Sequence, residues 1–247
     1  MSSSLHPGWI RPDWPAAARV RALITTRAGG VSSGAFASLN LSLRVGDDSE
    51  RVARNRAILR TCLPADPVWV KQVHGTVVID AAGAKPDAEA DGIVARVAGS
   101  ICTVLTADCL PVLLSDRAGK AVGIAHAGWR GLAGGIIENV VRAIAPSPQD
   151  LIAYLGPGIG PRAYEVGEDV RQAFVGKDPE ADAAFAPRQK GKYLADLYAL
   201  ARRRLAASGV AEVHGGGFCT AGEERFFSYR RDGTTGRMAS LIWLEED

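Results

Sequence analysis

Cysteine and histidine are scarce: the chain holds four of each in 247 residues. Cys62, Cys102, Cys109 and Cys219 lie far apart and form no C-x-x-C pair. That spacing points away from a disulfide framework and toward free thiols, metal ligands or nucleophiles. His6, His74, His126 and His214 are the whole supply of imidazole. Charge of one sign is also lacking, with 29 Lys+Arg against 27 Asp+Glu and a net charge of +2. That balance argues against a domain built mainly to neutralise a phosphate backbone, though it leaves room for a local basic patch, and no nucleic-acid partner is expected. No uncharged apolar run approaches the roughly 18 residues of a membrane span, and no membrane partner is expected. Residues Met1 to Pro7 lack a basic segment followed by an apolar one. No secretory signal is therefore expected, and the cytoplasm is the expected compartment. Repeats, low-complexity tracts and linkers are absent too, which predicts one domain over 1–247.

What is present is an ordinary globular composition, 47% hydrophobic and 23% charged. A chain of this length buries a core without disulfides or structural metal. Strands are predicted at Arg21–Thr26, Val68–Val70, Thr76–Ile79, Gly92–Val97, Ile101–Leu105, Pro111–Leu114, Ala121–Ala125, Leu151–Leu155 and Ala239–Trp243. Asp48 or Ser49 caps a helix to about Cys62, with Val52, Leu59 and Leu63 at helical spacing. Further helices are predicted from about Gly131 to Ala145, from Val166 to Val175, and along Leu194, Leu197, Tyr198, Ala201 and Leu205. Residues 178–192 read as a polar surface excursion. The central strands follow one another too closely for βαβ crossovers, so the expected class is α+β with mixed sheets covered by helices.

Three segments run from an apolar strand into a reactive residue: Lys71-Gln-Val-His-Gly75, Thr106-Ala-Asp-Cys-Leu-Pro111 and Ala125-His-Ala-Gly-Trp-Arg-Gly131. If they converge, His74, Cys109 and His126 supply two imidazoles and a thiolate, a three-ligand zinc site with an open fourth position. Such a metal acidifies bound water or polarises a substrate oxygen. The same residues also read without metal, with Cys109 as nucleophile and His126 as its base. A third reading is a buried cysteine and two hydrogen-bonded histidines. Spacing alone leaves these open.

Other segments are less specific. Gly156-Pro-Gly-Ile-Gly-Pro161 reads as a structural turn rather than a phosphate cradle, because two prolines remove N–H donors. Gly128-Trp-Arg-Gly131 opens a helix, where Arg130 is a candidate anion clamp; Arg44, in a polar loop, is a second. Phe226-Phe-Ser-Tyr-Arg-Arg231 either stacks a planar ring or forms a strand and turn. Asp91 and Asp108, near the candidate ligands, are read as orienting a histidine, moving a proton or contacting substrate. His6 and His214 are read as incidental.

Taken together, these segments resemble the YfiH-like family, also called the laccase-domain or multicopper polyphenol oxidase family. The matching words are Thr25-Thr-Arg-Ala-Gly-Gly-Val-Ser32, Ser38-Leu-Asn-Leu41, Lys71–Gly75, Ala90-Asp-Gly92, Thr106–Val112, Ala125–Gly131, Leu155–Gly160 and Phe227-Ser-Tyr-Arg-Arg231, in family order over nearly the whole chain. The resemblance implies a single-domain layered α/β sandwich with mixed sheets, an architecture shared with CNF-toxin-like cysteine hydrolases. It implies a site on His74, Cys109 and His126, with zinc as the expected metal; copper is a substitute there because copper(II) outcompetes zinc at most nitrogen and sulfur sites. It also implies phosphorolysis of adenosine, inosine and S-methyl-5′-thioadenosine, with adenosine deamination as a companion activity.

Phosphorolysis requires a held anion beside developing positive charge on the sugar. Deamination requires an activated water, but the H-x-E…P-C-x-x-C signature of the familiar zinc deaminases is absent. Multicopper electron transfer needs more imidazoles than four, so phenol oxidation is read as a side activity. The rival expectations are a peptidoglycan-precursor editing amidase using the same three residues, and a non-catalytic metal-binding protein.

Overall fold

The structure, a computed structural model, describes residues 6–144 and 147–246. Its elements in chain order are β1 (Val20–Ile24), α1 (Ser49–Arg60), β2 (Pro67–Val68), β3 (Val78–Asp80), β4 (Gly92–Ala95), β5 (Ile101–Thr106), β6 (Leu110–Asp116), β7 (Val122–Ala127), α2 (Trp129–Gly134), α3 (Ile136–Ile144), β8 (Leu151–Leu155), β9 (Glu165–Gly167), α4 (Glu168–Val175), β10 (Phe185–Pro187), β11 (Lys192–Ala195), α5 (Leu197–Ala207), β12 (Glu212–Gly215), α6 (Tyr229–Asp232) and β13 (Met238–Leu244).

The strands pair into a six-stranded sheet, β12-β8-β6-β7-β4-β3, and a four-stranded sheet, β1-β13-β5-β2. A small third sheet is ordered β10-β11-β9. Pairings are mixed: β6 and β4 each run antiparallel to β7, whereas β3 lies parallel to β4 and β12 parallel to β8.

Side-chain alternation sets the layers. On β6, Val112 and Leu114 pack with Leu132, Ile136 and Val140 of α2 and α3 and with Leu205 of α5. Leu113, between them in sequence, faces the other way and packs with Val104 and Ile242 of the four-stranded sheet. On β13, Ile242 faces this middle layer, and Leu241 faces Leu59 of α1 together with Leu39 and Leu41. The result is an α+β sandwich in which two mixed sheets stack face to face with helices outside, as the resemblance implies.

Asp48 caps α1 as expected, accepting from the main-chain N–H groups of Glu50 at 2.8 Å and Arg51 at 3.1 Å. Three predicted helices change. The one expected from Gly131 starts at Trp129 and is broken by Gly135, whose φ of +105° lies in the left-handed region. Its expected end, Ala145, lies outside the described residues. The helix expected from Val166 begins at Glu168, because Val166 pairs with Tyr193 in the third sheet. Leu194 likewise belongs to β11, and Asp196 caps α5 by accepting from Ala199 N–H at 2.9 Å. In both cases two or three apolar residues at helical spacing also satisfy a short strand, and the sheet partner decides. Residues 178–192 are mostly exposed, but Ala181 and Phe185 are buried.

Candidate active site

Ile93 of β4 and Ile124 of β7 point between the two sheets. The two-residue period carries Asp91 and His126 to that same face at the strand ends. Gly92 pairs with Ala125, so Asp91 and His126 come opposite each other. The His126 main-chain N–H donates to Asp91 O at 2.7 Å. Leu110 pairs with Ala127, which sets Cys109 beside Gly128. A Cβ placed on Gly128 would stand 2.8 Å from His74 Cδ2 and 3.0 Å from Cys109 Sγ, so only glycine leaves these two side chains their room.

His74 sits on the loop after β2 with φ +60°, and Asp108, next to Cys109, has φ +89°. Such conformations are costly for non-glycine residues and must be held by their surroundings. The Asp91 carboxylate holds the first. It accepts main-chain N–H bonds from Val73 at 3.1 Å, His74 at 3.0 Å and Gly75 at 2.7 Å. The same carboxylate bonds His126 Nδ1 at 2.7 Å. One buried acid therefore fixes both histidines. Asp108 is held by Thr220 Oγ1 at 2.5 Å and by Arg230 N–H at 2.7 Å.

The outcome is convergence. Cys109 Sγ lies 3.7 Å from His74 Nε2, and the three donor atoms of His74, Cys109 and His126 all lie within 4.8 Å of one another. Among the described residues this is the one grouping of three or more such donors. With His126 Nδ1 bound to Asp91, Nε2 is the nitrogen left for a ligand bond, the usual carboxylate–histidine–metal relay. Two imidazoles and a thiol at this separation fit one soft divalent ion such as zinc.

Electrostatics agree with that donor set. Burial pushes the Cys109 thiol up, but His126 and His74 outweigh burial and bring it down to about 6. Burial lowers His126, and the Cys109 charge and the Asp91 hydrogen bond more than reverse this, raising it to about 9. Burial pushes Asp91 up as well, yet its bonds from His126 and from Gly75 and Val73 leave it below the usual carboxylate range. Burial, with the Asp80 charge adding to it, pushes the Cys102 thiol up instead.

His74, Cys109 and His126 open onto a cavity of about 440 Å³, within the range of small-molecule sites. Its walls carry apolar groups from Val70, Leu105, Ile159, Tyr164 and Tyr229 and three guanidinium groups, Arg44, Arg230 and Arg237. Gln72 braces one wall through paired bonds with Leu105, 2.8 Å to its O and 2.7 Å from its N–H.

The remaining candidates are distributed unevenly. Arg44 and Asp108 line the cavity; Asp91 is fully buried behind it. Arg130 is exposed, lies 4.4 Å over the Trp129 ring, and is not among the lining residues. The amides of Gly156-Pro-Gly-Ile-Gly160 are all taken, by Pro111 O, Tyr198 OH, Asp108 O and Cys219 Sγ, so this turn is structural as expected. Phe226 and Phe227 are fully buried, forming neither a strand nor a stacking face; Tyr229 and Arg230 of that segment reach the cavity. Sequence reasoning missed Arg237, Tyr164 and Gln72. The available signal for Arg237 was a lone charge, Thr235-Gly-Arg237, opening a wholly buried strand.

Residues 21–245 match the family described as multi-copper polyphenol oxidoreductase laccase. A Pseudomonas aeruginosa protein named purine nucleoside phosphorylase PA4543 is 51% identical over 240 residues, covering 96% of this chain and 99% of that protein. Purine nucleoside phosphorylase YfiH of Escherichia coli K12 is 51% identical over 240 residues, covering 95% and 98%. Among solved structures, Neisseria meningitidis protein NMB0706 superposes with a TM-score of 0.92 at 54% identity, covering 97% of this chain and all of that one. YlmD from Geobacillus stearothermophilus superposes with a TM-score of 0.89 at 35% identity, covering 99% and 98%. The chain thus belongs to the laccase-domain, YfiH-like family.

Proposed function

We propose that this chain, acting over 1–247 as one cytoplasmic unit, is a zinc-dependent purine nucleoside phosphorylase for adenosine, inosine and S-methyl-5′-thioadenosine, with adenosine deamination as a companion activity. The observation that carries the reading is that two imidazoles, a thiol and three arginines open onto one cavity of nucleoside size. The names borne by relatives at 51% identity support it.

In phosphorolysis a phosphate oxygen bonds the sugar C1′ while the C1′–N9 bond breaks. The bonding electrons leave with the purine, which takes up a proton, giving a pentose 1-phosphate and the free base. His74, Cys109 and His126 would hold zinc, which when bound supplies Lewis acidity at a substrate oxygen or a water. Asp91 sets the orientation of both imidazoles, Tyr164 and Tyr229 offer ring faces to a base, and the arginines offset the phosphate charge. The test is incubation of metal-analysed protein with inosine and phosphate. Hypoxanthine that appears only with phosphate supports the reading; none at any phosphate concentration overturns it.

One observation favours a second reading. Asp91, His126 and Cys109 also stand in the order carboxylate, imidazole, thiol, with the thiol depressed to about 6. That is the arrangement of a cysteine hydrolase, in which the thiolate attacks an amide carbonyl, His126 protonates the leaving amine and water then cleaves the thioester. Cleavage of a muramyl-serine precursor without base release from inosine would select it.

A further inference from the structure

The cavity contains three arginines, and they are not equivalent. Arg44 is ion-paired to Asp87 at 2.7 Å, with 52% of its side chain exposed. Arg230 is exposed, lies 5.2 Å over the Tyr164 ring and donates from Nη1 to Glu165 O at 2.8 Å. Arg237 differs. It is the only half-buried one of the three, and, as with Arg230, no carboxylate among the described residues lies within ion-pair distance of it. Its Nη1 donates to Thr235 O at 2.9 Å and Gly236 O at 3.0 Å, while Nε and Nη2 make no hydrogen bond among the described residues. The groups whose negative charge acts on it, Cys109, Asp108 and Tyr229, all line the cavity.

A partly desolvated guanidinium without a counter-ion is expensive to keep. The surrounding chain nevertheless fixes it firmly. Arg237 N–H donates to Asn40 Oδ1 at 3.0 Å, and Arg237 O accepts from Leu41 N–H at 3.3 Å. Asn40 is itself held by Asp47 at 2.9 Å. A Cβ on the preceding Gly236 would meet Phe227 at 2.6 Å, so the turn that delivers Arg237 is tightly packed. Two free N–H donors in a rigid fork match two oxygens of a tetrahedral oxoanion.

We propose that Arg237, rather than Arg130, binds the inorganic phosphate that serves as co-substrate. This inference rests on the phosphorylase reading and deepens it. Arg237 holds phosphate oxygens that stay on phosphorus, leaving another oxygen to bond C1′ as the C1′–N9 electrons depart with the base.

The experiment measures phosphate binding calorimetrically on the protein as purified, without nucleoside, and separately the KM values for phosphate and inosine. Wild type, Arg237→Gln, Arg237→Lys and Arg130→Gln are compared. Arg237→Gln is expected to weaken phosphate binding and raise the phosphate KM by roughly tenfold to a hundredfold, the cost of losing a charge-assisted fork, with the inosine KM within about twofold. Arg237→Lys, which keeps the charge and the fold, recovers part of the loss. The proposal is overturned if Arg130→Gln carries the loss instead, if both KM values rise equally, or if Arg237→Gln and Arg237→Lys bind phosphate as wild type does. It is also overturned if Arg237→Gln leaves phosphate binding intact but slows Cys109 alkylation, since the arginine then serves only the thiolate. Phosphate binding that depends on Arg237 in a protein that releases no base would leave Arg237 as the phosphate-binding residue and sink the co-substrate role together with the phosphorylase reading.

Discussion

Asp91 and His126 share a hydrogen bond of 2.7 Å between carboxylate and Nδ1, and both side chains are almost wholly shielded from solvent. The same carboxylate collects three main-chain N–H groups of the His74 loop. A single acid thus couples two candidate ligands that lie far apart in sequence. Asp91→Asn should weaken zinc binding by about 10–100-fold, measured by chelator competition. Because the folded carboxylate is depressed, its stabilisation is present above its unfolded value of about 3.9 and is lost as pH falls through the lower folded value. The stability gap between wild type and Asp91→Asn in denaturant titrations should therefore narrow below about pH 4. A gap that widens with acid would contradict the linkage.

Cys109 of chelator-treated protein should alkylate as a thiolate, with a rate midpoint near its depressed value of about 6. An unperturbed thiol would titrate near about 8.5. Cys102, buried and pushed upward, should resist at the same pH. Peptide mapping after iodoacetamide at a series of pH values separates them, and a Cys109 midpoint above about 8 would remove the thiolate argument.

Gly128 tests the closeness of the ligands without touching any of them. An alanine there meets His74 at 2.8 Å and Cys109 at 3.0 Å, while its φ of −67° suits any residue. Gly128→Ala should lower metal affinity and turnover by at least about tenfold with little change in Tm. Unchanged zinc affinity would mean the site tolerates wider spacing than this geometry implies.

His126 is 3% exposed, so its removal strips a buried acid of its partner as well as deleting a candidate ligand. His126→Ala is expected to lose turnover and also about 1–3 kcal/mol of stability. His74 is exposed, so His74→Ala should lose turnover with stability nearly intact. Paired activity assays and urea titrations check this; equal destabilisation by both would argue against the difference in burial.

Behind the cavity, Asn55 draws the Thr25–Ser32 and Ser38–Leu41 segments together, donating to Ser32 Oγ at 2.9 Å, Ser38 O at 3.2 Å and Asn40 O at 2.8 Å. A Cβ on Gly30 would stand 2.3 Å from Ser38 O. Gly30→Ala should cost about 1–3 kcal/mol, read by urea unfolding, because main-chain atoms must shift. A neutral effect would show that the two segments are not locked together.

Local sequence was sufficient where the deciding forces are local. The apolar runs of Ile101–Leu105 and Leu151–Leu155, the cap at Asp48 and the reactive words around His74, Cys109 and His126 all reflect neighbours within a few residues, and each survives into the fold. What the chain could not reveal alone is set by pairing between distant strands. Whether Val166 and Leu194 are helix or strand depends on each other's segment through the β9–β11 pairing. Arg130, in the most distinctive word, lies outside the cavity wall, whereas Arg237, in an unremarked turn, lines it. Direction and burial of a side chain depend on which surface packs against it, and only the stacked sheets supply that surface.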